Sequence, residues 1–200
     1  MENKQLIIAV SREYGSGGHV IAEALAKEFD LPLYDYNLLH EIAEEKGVDY
    51  NDLINYDESP HSRLLSRTVR GHNNSPSKNI AELQFNHLKR MADSGKSFVI
   101  VGRCAENVLK GHDALISIFV LADPDVKTER IARLHNLSIK DAENRRLEKD
   151  WKRKKYHNTH CPTKWGDSRN YDISINSTRL GIEETAEFLK SYIKTRIQDM

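Results

Sequence analysis

The chain has 200 residues, of which 38% are hydrophobic and 30% charged, so it is long and apolar enough to fold around a core and is unlike a disordered protein. Lys and Arg total 30 and Asp and Glu total 30, so the net charge is zero. That balance gives no overall attraction to nucleic acid or to an anionic membrane, and we expect neither as a partner. An anion site must therefore come from local clustering of charge.

The two cysteines and the N-terminal segment indicate a cellular compartment. Cys104 and Cys161 lack a CxxC spacing and predict neither a disulfide framework nor a metal site. The N-terminus lacks the basic and apolar regions of a signal peptide, and no stretch approaches the ~18 apolar residues that span a bilayer. We therefore expect a cytoplasmic chain that folds as a single domain over residues 1–200.

Short apolar runs alternate with segments of helical periodicity along the chain, and together they predict the fold class. The first run, residues 6–10, is rich in β-branched residues and predicts a strand buried on both faces. Such alternation is typical of an α/β fold with a mostly parallel sheet, here of about five strands flanked by helices. The predicted strands are 6–10, 33–34, 97–101, 115–121 and 171–175, and the predicted helices are 20–29, 36–46, 79–94, 138–157, 181–197 and one that begins at 124.

Ligands of a parallel sheet bind beyond the carboxyl ends of its strands, so the residues that follow each predicted strand are candidates for a site. They are residues 11–18, Asp35, Gly102 and Arg103, Asp123, and Asn176 and Ser177. Residues 49–78 are the least regular part and contain Arg63, Arg67 and Arg70 at a spacing that shares one helix face. That face is either solvated or part of a flap over an anion.

A glycine-rich segment, SREYGSGG at residues 11–18, separates the first strand from the first helix. Such a turn forms a nest of backbone N–H groups at a helix N-terminus, where the unpaired amides and the helix dipole favour phosphate. We call it the glycine loop and predict that it binds phosphates; a tight turn without a ligand is the alternative. The predicted phosphate-binding residues are Ser11, Gly15, Ser16, Gly17, Gly18, His19 and Val20.

The lysine and hydroxyl of the common nucleotide-binding loop are missing. In the pattern GxxxxGK[ST], the lysine reaches the β- and γ-phosphates and the hydroxyl binds Mg²⁺. This chain has Gly18 and His19 at those two places. We predict that Arg12 supplies the cation and that Mg²⁺ is held through Ser16 or through water, with the Ser11 hydroxyl as an alternative.

Three charged residues share one face of the predicted helix 138–157. Arg146 and Arg153 are two turns apart, about 10 Å, and Asp150 lies between them, where it can hold both side chains extended. Guanidinium groups grip phosphate oxygens two at a time, and phosphoryl transfer needs charge cancellation above all. The face therefore suits a clamp on a transferring phosphoryl group. A salt-bridged surface helix is the alternative, which the glycine loop and Arg103 disfavour.

Several separated segments, in the same order, resemble the cytidylate kinase-like family, a divergent branch of the P-loop nucleoside monophosphate kinases. The resemblance covers nearly the whole chain. The segments that carry it are IAVSREYGSGGHVIA at 8–22, LPLYD at 31–35, VGR at 101–103, RLEKDWKR at 146–153 and YDISINS at 171–177.

The resemblance implies a P-loop NTPase fold with a helical lid at 130–166 and an acceptor-binding flap at 49–95, and an ATP-dependent kinase that uses Mg²⁺. It also implies that Arg103 contacts the acceptor's phosphate, that the arginines of the lid clamp the transferring group, and that Asp150 and Asp35 orient the acceptor. The predicted catalytic residues are Arg12, Arg103, Arg146, Asp150 and Arg153, and the predicted acceptor-binding residues are Asp35, Arg103 and Arg63.

The acceptor side departs from the cytidylate kinase pattern at three positions. Val101 and Cys104 stand where the DGRD segment has acids, and Glu41 stands where the family has arginine. The predicted function is transfer of the ATP γ-phosphate to a small acceptor, a pyrimidine nucleoside monophosphate before others. The alternatives are a nucleotide-binding regulatory protein without turnover and a kinase of a non-nucleotide acceptor; the missing lysine favours the first, and the altered segment from Asp35 to Glu41 favours the second.

The nine histidines are scattered and no HExxH motif occurs. The run HNTHC at 157–161 has a superficial likeness to metal ligands. We interpret it as a loop beside the lid and predict no metal bound by protein ligands there.

Overall fold

The computed structural model describes residues 4–35, 38, 40, 42–43, 68–69, 72–73 and 76–199, and the account below concerns these residues. Seven strands are present: β1 (Ile7–Arg12), β2 (Leu33–Tyr34), β3 (Thr68–Val69), β4 (His72–Asn73), β5 (Phe98–Val101), β6 (Leu115–Leu121) and β7 (Ile173–Asn176). Five of them form one sheet in the order β2-β5-β1-β6-β7, and all four pairings are parallel. The predicted five-stranded parallel sheet is therefore confirmed. Strands β3 and β4 form a separate antiparallel pair.

Six α-helices surround this sheet. They are α1 (Gly18–Glu28), α2 (Pro76–Asp93), α3 (Ala105–Val108), α4 (Pro124–His135), α5 (Ile139–His160) and α6 (Ile182–Asp199). Residues 38, 40 and 42–43 are helical as well, within the predicted helix 36–46. The short pair β3–β4 lies in the irregular segment 49–78 and the helix α3 is a single turn, so neither was predicted.

The central strand β1 divides the core into two layers, because its side chains alternate between the faces of the sheet. Ile7 and Ala9 pack in one apolar cluster with α2, and Ile8 and Val10 pack in the other with α1 and α6. Every apolar residue of β1 is fully buried. A strand covered on both faces explains the uninterrupted apolar run seen in the sequence.

Helices α4 and α5 form an antiparallel arm beside the sheet, within the predicted lid region. Ser138 caps α5 by accepting a hydrogen bond from the Asp141 N–H at 3.1 Å. The helix ends at His160, so the prediction of a loop at 157–161 is wrong for all but its last residue. Cys161 precedes a proline and takes an extended conformation (φ −119°, ψ 144°), which stops the helix at that point.

The carboxyl ends of the five parallel strands meet at one edge of the sheet. The glycine loop follows β1 there, Asp35 follows β2, Gly102 follows β5, Asp123 lies two residues past β6, and Ser177 follows β7. The edge therefore gathers the residues that the sequence proposed for it, apart from the predicted flap, whose Arg63, Arg67 and Arg70 lie outside the described residues. None of the helices in the described ranges is long and apolar enough to cross a membrane.

Candidate active site

The glycine loop is packed tightly against Ile182 of α6 and Arg12 of β1. Gly15 and Gly17 take left-handed conformations, with φ of +84° and +82°. A Cβ at Gly17 would lie 2.6 Å from the Ile182 side chain, and one at Gly18 would lie 2.5 Å from the Cβ of Arg12. Helix α1 begins at Gly18, and the first N–H groups of a helix have no partners within the helix. The loop is thus a preformed cradle of backbone amides, which fits a phosphate group.

Serine hydroxyls hold the loop in this shape. Ser16 is fully buried, and its Oγ donates to the Glu13 carbonyl at 2.9 Å. Ser177, directly after β7, donates its Oγ to the Ser16 carbonyl at 2.6 Å. Ser11 is also buried, and its Oγ donates to the Glu106 carboxylate at 3.0 Å. Ser11 and Ser16 are therefore engaged by the protein itself, and a role for either hydroxyl toward Mg²⁺ stays a prediction.

Arg12 runs beneath the loop toward the neighbouring turn. Its Cβ lies against Gly18, while its Nη1 would be 2.4 Å from a Cβ placed on Gly102. Its carbonyl accepts a hydrogen bond from Arg153 Nη1 at 3.3 Å. The side chain thus links the glycine loop to the segment that carries Arg103.

Arg103 lies in a turn of unusual backbone geometry. Gly102, Arg103 and Cys104 have φ of +77°, +57° and +56°, so three consecutive residues are left-handed. Each of the two residues with a Cβ costs about 1 kcal/mol or more in that conformation. Strained backbone of this kind clusters at functional sites, where it fixes the direction of a side chain. The turn begins α3 and presents Arg103 beyond β5.

His19, a predicted phosphate-binding residue, contacts Asp35, a predicted acceptor-binding residue. Its Nδ1 lies 3.2 Å from the Asp35 carboxylate, and its Nε2 lies 3.4 Å from the Glu23 carboxylate. Val20, the last predicted phosphate-binding residue, is half exposed on α1. His19 therefore pairs with Asp35 at the position where the common loop carries its metal-binding hydroxyl.

The arm reaches the glycine loop through Tyr14. The Tyr14 N–H donates to Asp150 Oδ1 at 2.6 Å, its hydroxyl lies 2.9 Å from His135 Nε2, and the Arg153 guanidinium stacks over its ring at 5.4 Å. Burial raises the pKa of Asp150, against the opposing effects of the Tyr14 N–H and Lys127. Sequence reasoning gave Tyr14 no role, because a backbone donor leaves no trace in a motif.

Asp150 and Arg146 make hydrogen bonds to different elements, while Arg153 lies close enough to Asp150 to help lower its pKa against the larger effect of burial. The nearly buried Arg146 donates its Nε to Thr128 Oγ1 of α4 at 3.1 Å, while Asp150 turns to the Tyr14 N–H. Helical spacing placed these residues on a common face, but packing against α4 and the loop decided their partners. Arg146 thus links α5 to α4, and Arg153 is the arginine that reaches the glycine loop.

Two cations of α4 that were not among the predicted site residues lie at the loop. Lys127 is only 4% exposed, and its Nζ lies 2.6 Å from Glu13 Oε2 and 3.8 Å from Asp150 Oδ2. Arg130 donates its Nη1 to the Gly15 carbonyl. Burial, with a smaller effect of Arg133, lowers the pKa of Arg130. The helical spacing of Lys127 and Arg130 was the available signal, but only the fold shows that this face meets the loop.

A buried polar cluster lies behind the Arg103 turn. It joins Cys104 to His157 and Cys161 at the end of α5, and to Glu106, whose Oε1 lies 2.7 Å from His157 Nε2. Burial opposes a charge on His157, but hydrogen bonds with Cys161 and Glu106 outweigh it and raise its pKa to about 10. The hydrogen bond between the two thiols lowers the pKa of Cys161 and raises that of Cys104. Cys104 and Cys161 are far apart in the sequence, so their spacing could not predict this cluster.

Comparison with known proteins gives these features a context. The chain is 24% identical to the cytidylate kinase of Methanopyrus kandleri, over 94% of this chain and 93% of the relative. It resembles a solved protein of Eubacterium ventriosum, with 36% identity, a TM-score of 0.76, and coverage of 95% of this chain and 99% of the other.

The fold extends to more distant kinases. The shikimate kinase of Bacteroides thetaiotaomicron superimposes with a TM-score of 0.56 at 14% identity, over 94% of this chain and 98% of the other. The sequence model of the cytidylate kinase-like family matches residues 7–179, which include the glycine loop, the Arg103 turn, the arm and β7. The chain belongs to the cytidylate kinase-like family.

Proposed function

We propose that this protein is an ATP-dependent phosphotransferase that moves the γ-phosphate to a small acceptor, a pyrimidine nucleoside monophosphate before others. The observation that carries the proposal is the direct contact between the glycine loop and the arginines of the arm. Arg130 donates to the Gly15 carbonyl and Arg153 to the Arg12 carbonyl. Phosphoryl transfer depends on positioning and on positive charge near the phosphates, and an amide cradle with two guanidinium groups beside it supports both.

Each group has a separate task in this proposal. The amides of the glycine loop bind the donor phosphates, and Arg12 lies between that loop and the Arg103 turn. Arg103 meets the acceptor's phosphate beyond β5, while Arg153 stabilises the charge that develops on the transferring group. Asp35, fixed by His19, orients the acceptor. Mg²⁺ bound with ATP would cancel charge between the phosphates, and Ser16 and His19 are the residues beside its expected position.

This proposal and its two alternatives differ in whether the protein transfers a phosphate and, if so, to which acceptor. A kinase of a non-nucleotide acceptor is favoured by Cys104, which stands where cytidylate kinases carry an acid and is buried in the cluster behind Arg103. A nucleotide-binding regulator without turnover is favoured by Gly18, which replaces the usual lysine, and by the engagement of Lys127 with two carboxylates. The clamp geometry of the arm argues against the regulator, because binding alone needs no stabilisation of a transition state.

A coupled kinase assay with ATP and Mg²⁺ tests the proposal over a panel of CMP, dCMP, UMP, AMP and GMP. We expect the fastest turnover with a pyrimidine monophosphate. Arg153→Ala should lower kcat by about 100-fold or more, as loss of a transition-state donor does. Lys140→Ala, an exposed change on the same helix, is the matched control and should leave kcat unchanged.

ATP binding measured by calorimetry separates the remaining outcomes. Arg12→Ala should weaken ATP binding sharply, and an unchanged affinity would refute the role of Arg12. Tight ATP binding without turnover on any monophosphate would refute the nucleotide kinase. A phosphorylated product from small hydroxylated acids or sugars would then establish the non-nucleotide acceptor, and its absence would leave the regulator.

A further inference from the structure

The buried cluster behind the Arg103 turn has the composition of a metal site. The candidate ligand atoms of Cys104, His157 and Cys161 all lie within 4.8 Å of one another. The three residues are 3%, 4% and 8% exposed, so solvent does not compete for them. His157 and Cys161 are one helical turn apart at the end of α5, and Cys104 approaches from the opposite side at the start of α3.

We propose that Cys104, His157 and Cys161 bind one zinc ion. Thiolate and imidazole ligands select zinc over magnesium or calcium, which prefer oxygen. Bonds of about 2.0–2.3 Å in a tetrahedral site separate ligand atoms by roughly 3.3–3.8 Å. The cluster therefore needs to contract by no more than about 1.5 Å, which side-chain rotation of the two cysteines supplies.

Glu106 is the positioning residue of the proposed site. Its Oε1 lies 2.7 Å from His157 Nε2, and its Oε2 accepts from the Ser11 hydroxyl at 3.0 Å. A carboxylate that holds one nitrogen of a ligating imidazole fixes the ring and increases its basicity toward the metal. Glu106 is itself 4% exposed, so its pairing with His157 is buried and holds the imidazole in one orientation.

A second buried polar group, the Tyr171 hydroxyl, lies near this cluster. The Tyr171 hydroxyl is buried and has no partner of good hydrogen-bond geometry among the described residues, although Ser11 and Gly166 are its neighbours. Glu106 and Cys104 are close enough to contribute to the raised pKa of Tyr171, after the larger effect of burial. In the proposed site a water takes the fourth position of the zinc ion. Three protein ligands and one water make a complete tetrahedral set.

The proposed ion ties the end of α5 to the turn that presents Arg103. The proposed site does not depend on which acceptor is used or on turnover, because its ligands lie behind the phosphate-binding edge. Its expected effect is structural, in that metal bound to the folded chain alone raises the unfolding temperature.

The test uses the full chain, produced in zinc-supplemented medium and kept reduced with a phosphine. Elemental analysis after dialysis should find about one zinc per chain, as a three-residue site requires. Cys104→Ser, Cys161→Ser and His157→Gln should each lose the ion. His160→Gln is the matched control, since it lies at the same end of α5 but outside the cluster, and should retain it.

Cobalt(II) supplies a readout that does not depend on any variant. The metal-free wild type titrated with Co²⁺ should show the thiolate-to-cobalt charge-transfer band and the strong visible bands of a tetrahedral site. Glu106→Gln should keep these bands but weaken Zn²⁺ binding, measured against a chelator, by about 10–100-fold. Circular dichroism checks that each variant is folded.

Three results would overturn the proposal. The first is a wild type that shows no thiolate–cobalt band. The second is a zinc content in both cysteine variants equal to that of the wild type. The third is a Cys104–Cys161 disulfide found by mass spectrometry in most of the protein when it is isolated without the phosphine, which would mean that the two thiols serve each other rather than a metal.

Discussion

Substituting Gly17 by alanine tests whether the glycine loop is packed as the structure shows. Gly17 has φ of +82°, and its missing Cβ would lie 2.6 Å from both Cδ1 and Cγ1 of Ile182. Gly95, which follows α2, has nearly the same φ of +77° but nothing within 4 Å of its Cβ position. The two glycines therefore share one backbone cost and differ in one contact.

The difference between the two substitutions has a calculable size. An alanine in the left-handed region costs about 1–2 kcal/mol at either position. The contact with Ile182 at the start of α6 adds the cost of overpacking, about 1–3 kcal/mol. A chain of this length loses about 2–4 °C of Tm per kcal/mol. Gly17→Ala should thus lower Tm by roughly 2–12 °C more than Gly95→Ala does.

Calorimetric unfolding of both variants measures this difference. The double variant Gly17→Ala with Ile182→Ala should recover part of the loss, because the smaller side chain removes the close contact. Equal losses of Tm for Gly17→Ala and Gly95→Ala would refute the packing of the loop against α6. So would strict additivity between the Gly17 and Ile182 substitutions.

Three further predictions concern the support of the loop. In a double-mutant cycle, Glu13→Gln and Lys127→Met should show a coupling of about 1–3 kcal/mol in urea unfolding, because the pair is largely buried at 2.6 Å; a coupling near zero would contradict the ion pair. Gly18→Ala should cost about 1–3 kcal/mol, which Arg12→Gly relieves and Arg12→Ala does not, since the collision at 2.5 Å is with the Arg12 Cβ. Burial opposes the charge of Asp172, but hydrogen bonds from Ser117 and Arg196 outweigh it and lower the pKa of Asp172. Its stabilising effect is therefore complete above about pH 4 and lost as the pH falls further, so Asp172→Asn should flatten the acid limb of the unfolding free energy between pH 7 and 3.

The strands and the glycine loop could be predicted because local sequence determines them. The run from Leu6 to Val10 has apolar side chains at every position, which only a strand covered on both faces accommodates. The loop follows from glycines placed between a strand and a helix, and the structure gives Gly15 and Gly17 the positive φ that glycine permits. Because the five strands run parallel, their carboxyl ends lie at one edge of the sheet, which is where such sheets bind ligands.

The partners of the charged residues could not be predicted, because they come from other elements. Asp150 was expected to hold two arginines of its own helix, but its carboxylate accepts the Tyr14 N–H of the glycine loop. Lys127 pairs with Glu13 across the fold. The helical periodicity identifies which residues share a face, and the packing of that face against a loop decides the contact. The end of α5 was misjudged for a local reason, since the proline after Cys161 stops the helix later than its charge pattern indicates.

The missing lysine of the loop and the path of the Arg12 side chain have a common steric explanation. The common nucleotide-binding pattern places its lysine at the position of Gly18. Here a Cβ at Gly18 would lie 2.5 Å from the Cβ of Arg12 and 3.3 Å from the Cβ of Val120, so a side chain at this position would force its neighbours to shift. The space that a lysine would need is filled by the stem of an arginine whose Nη1 emerges beside Gly102. Loss of the lysine is thus the steric counterpart of an arginine at position 12, and the positive charge lies between the glycine loop and the Arg103 turn.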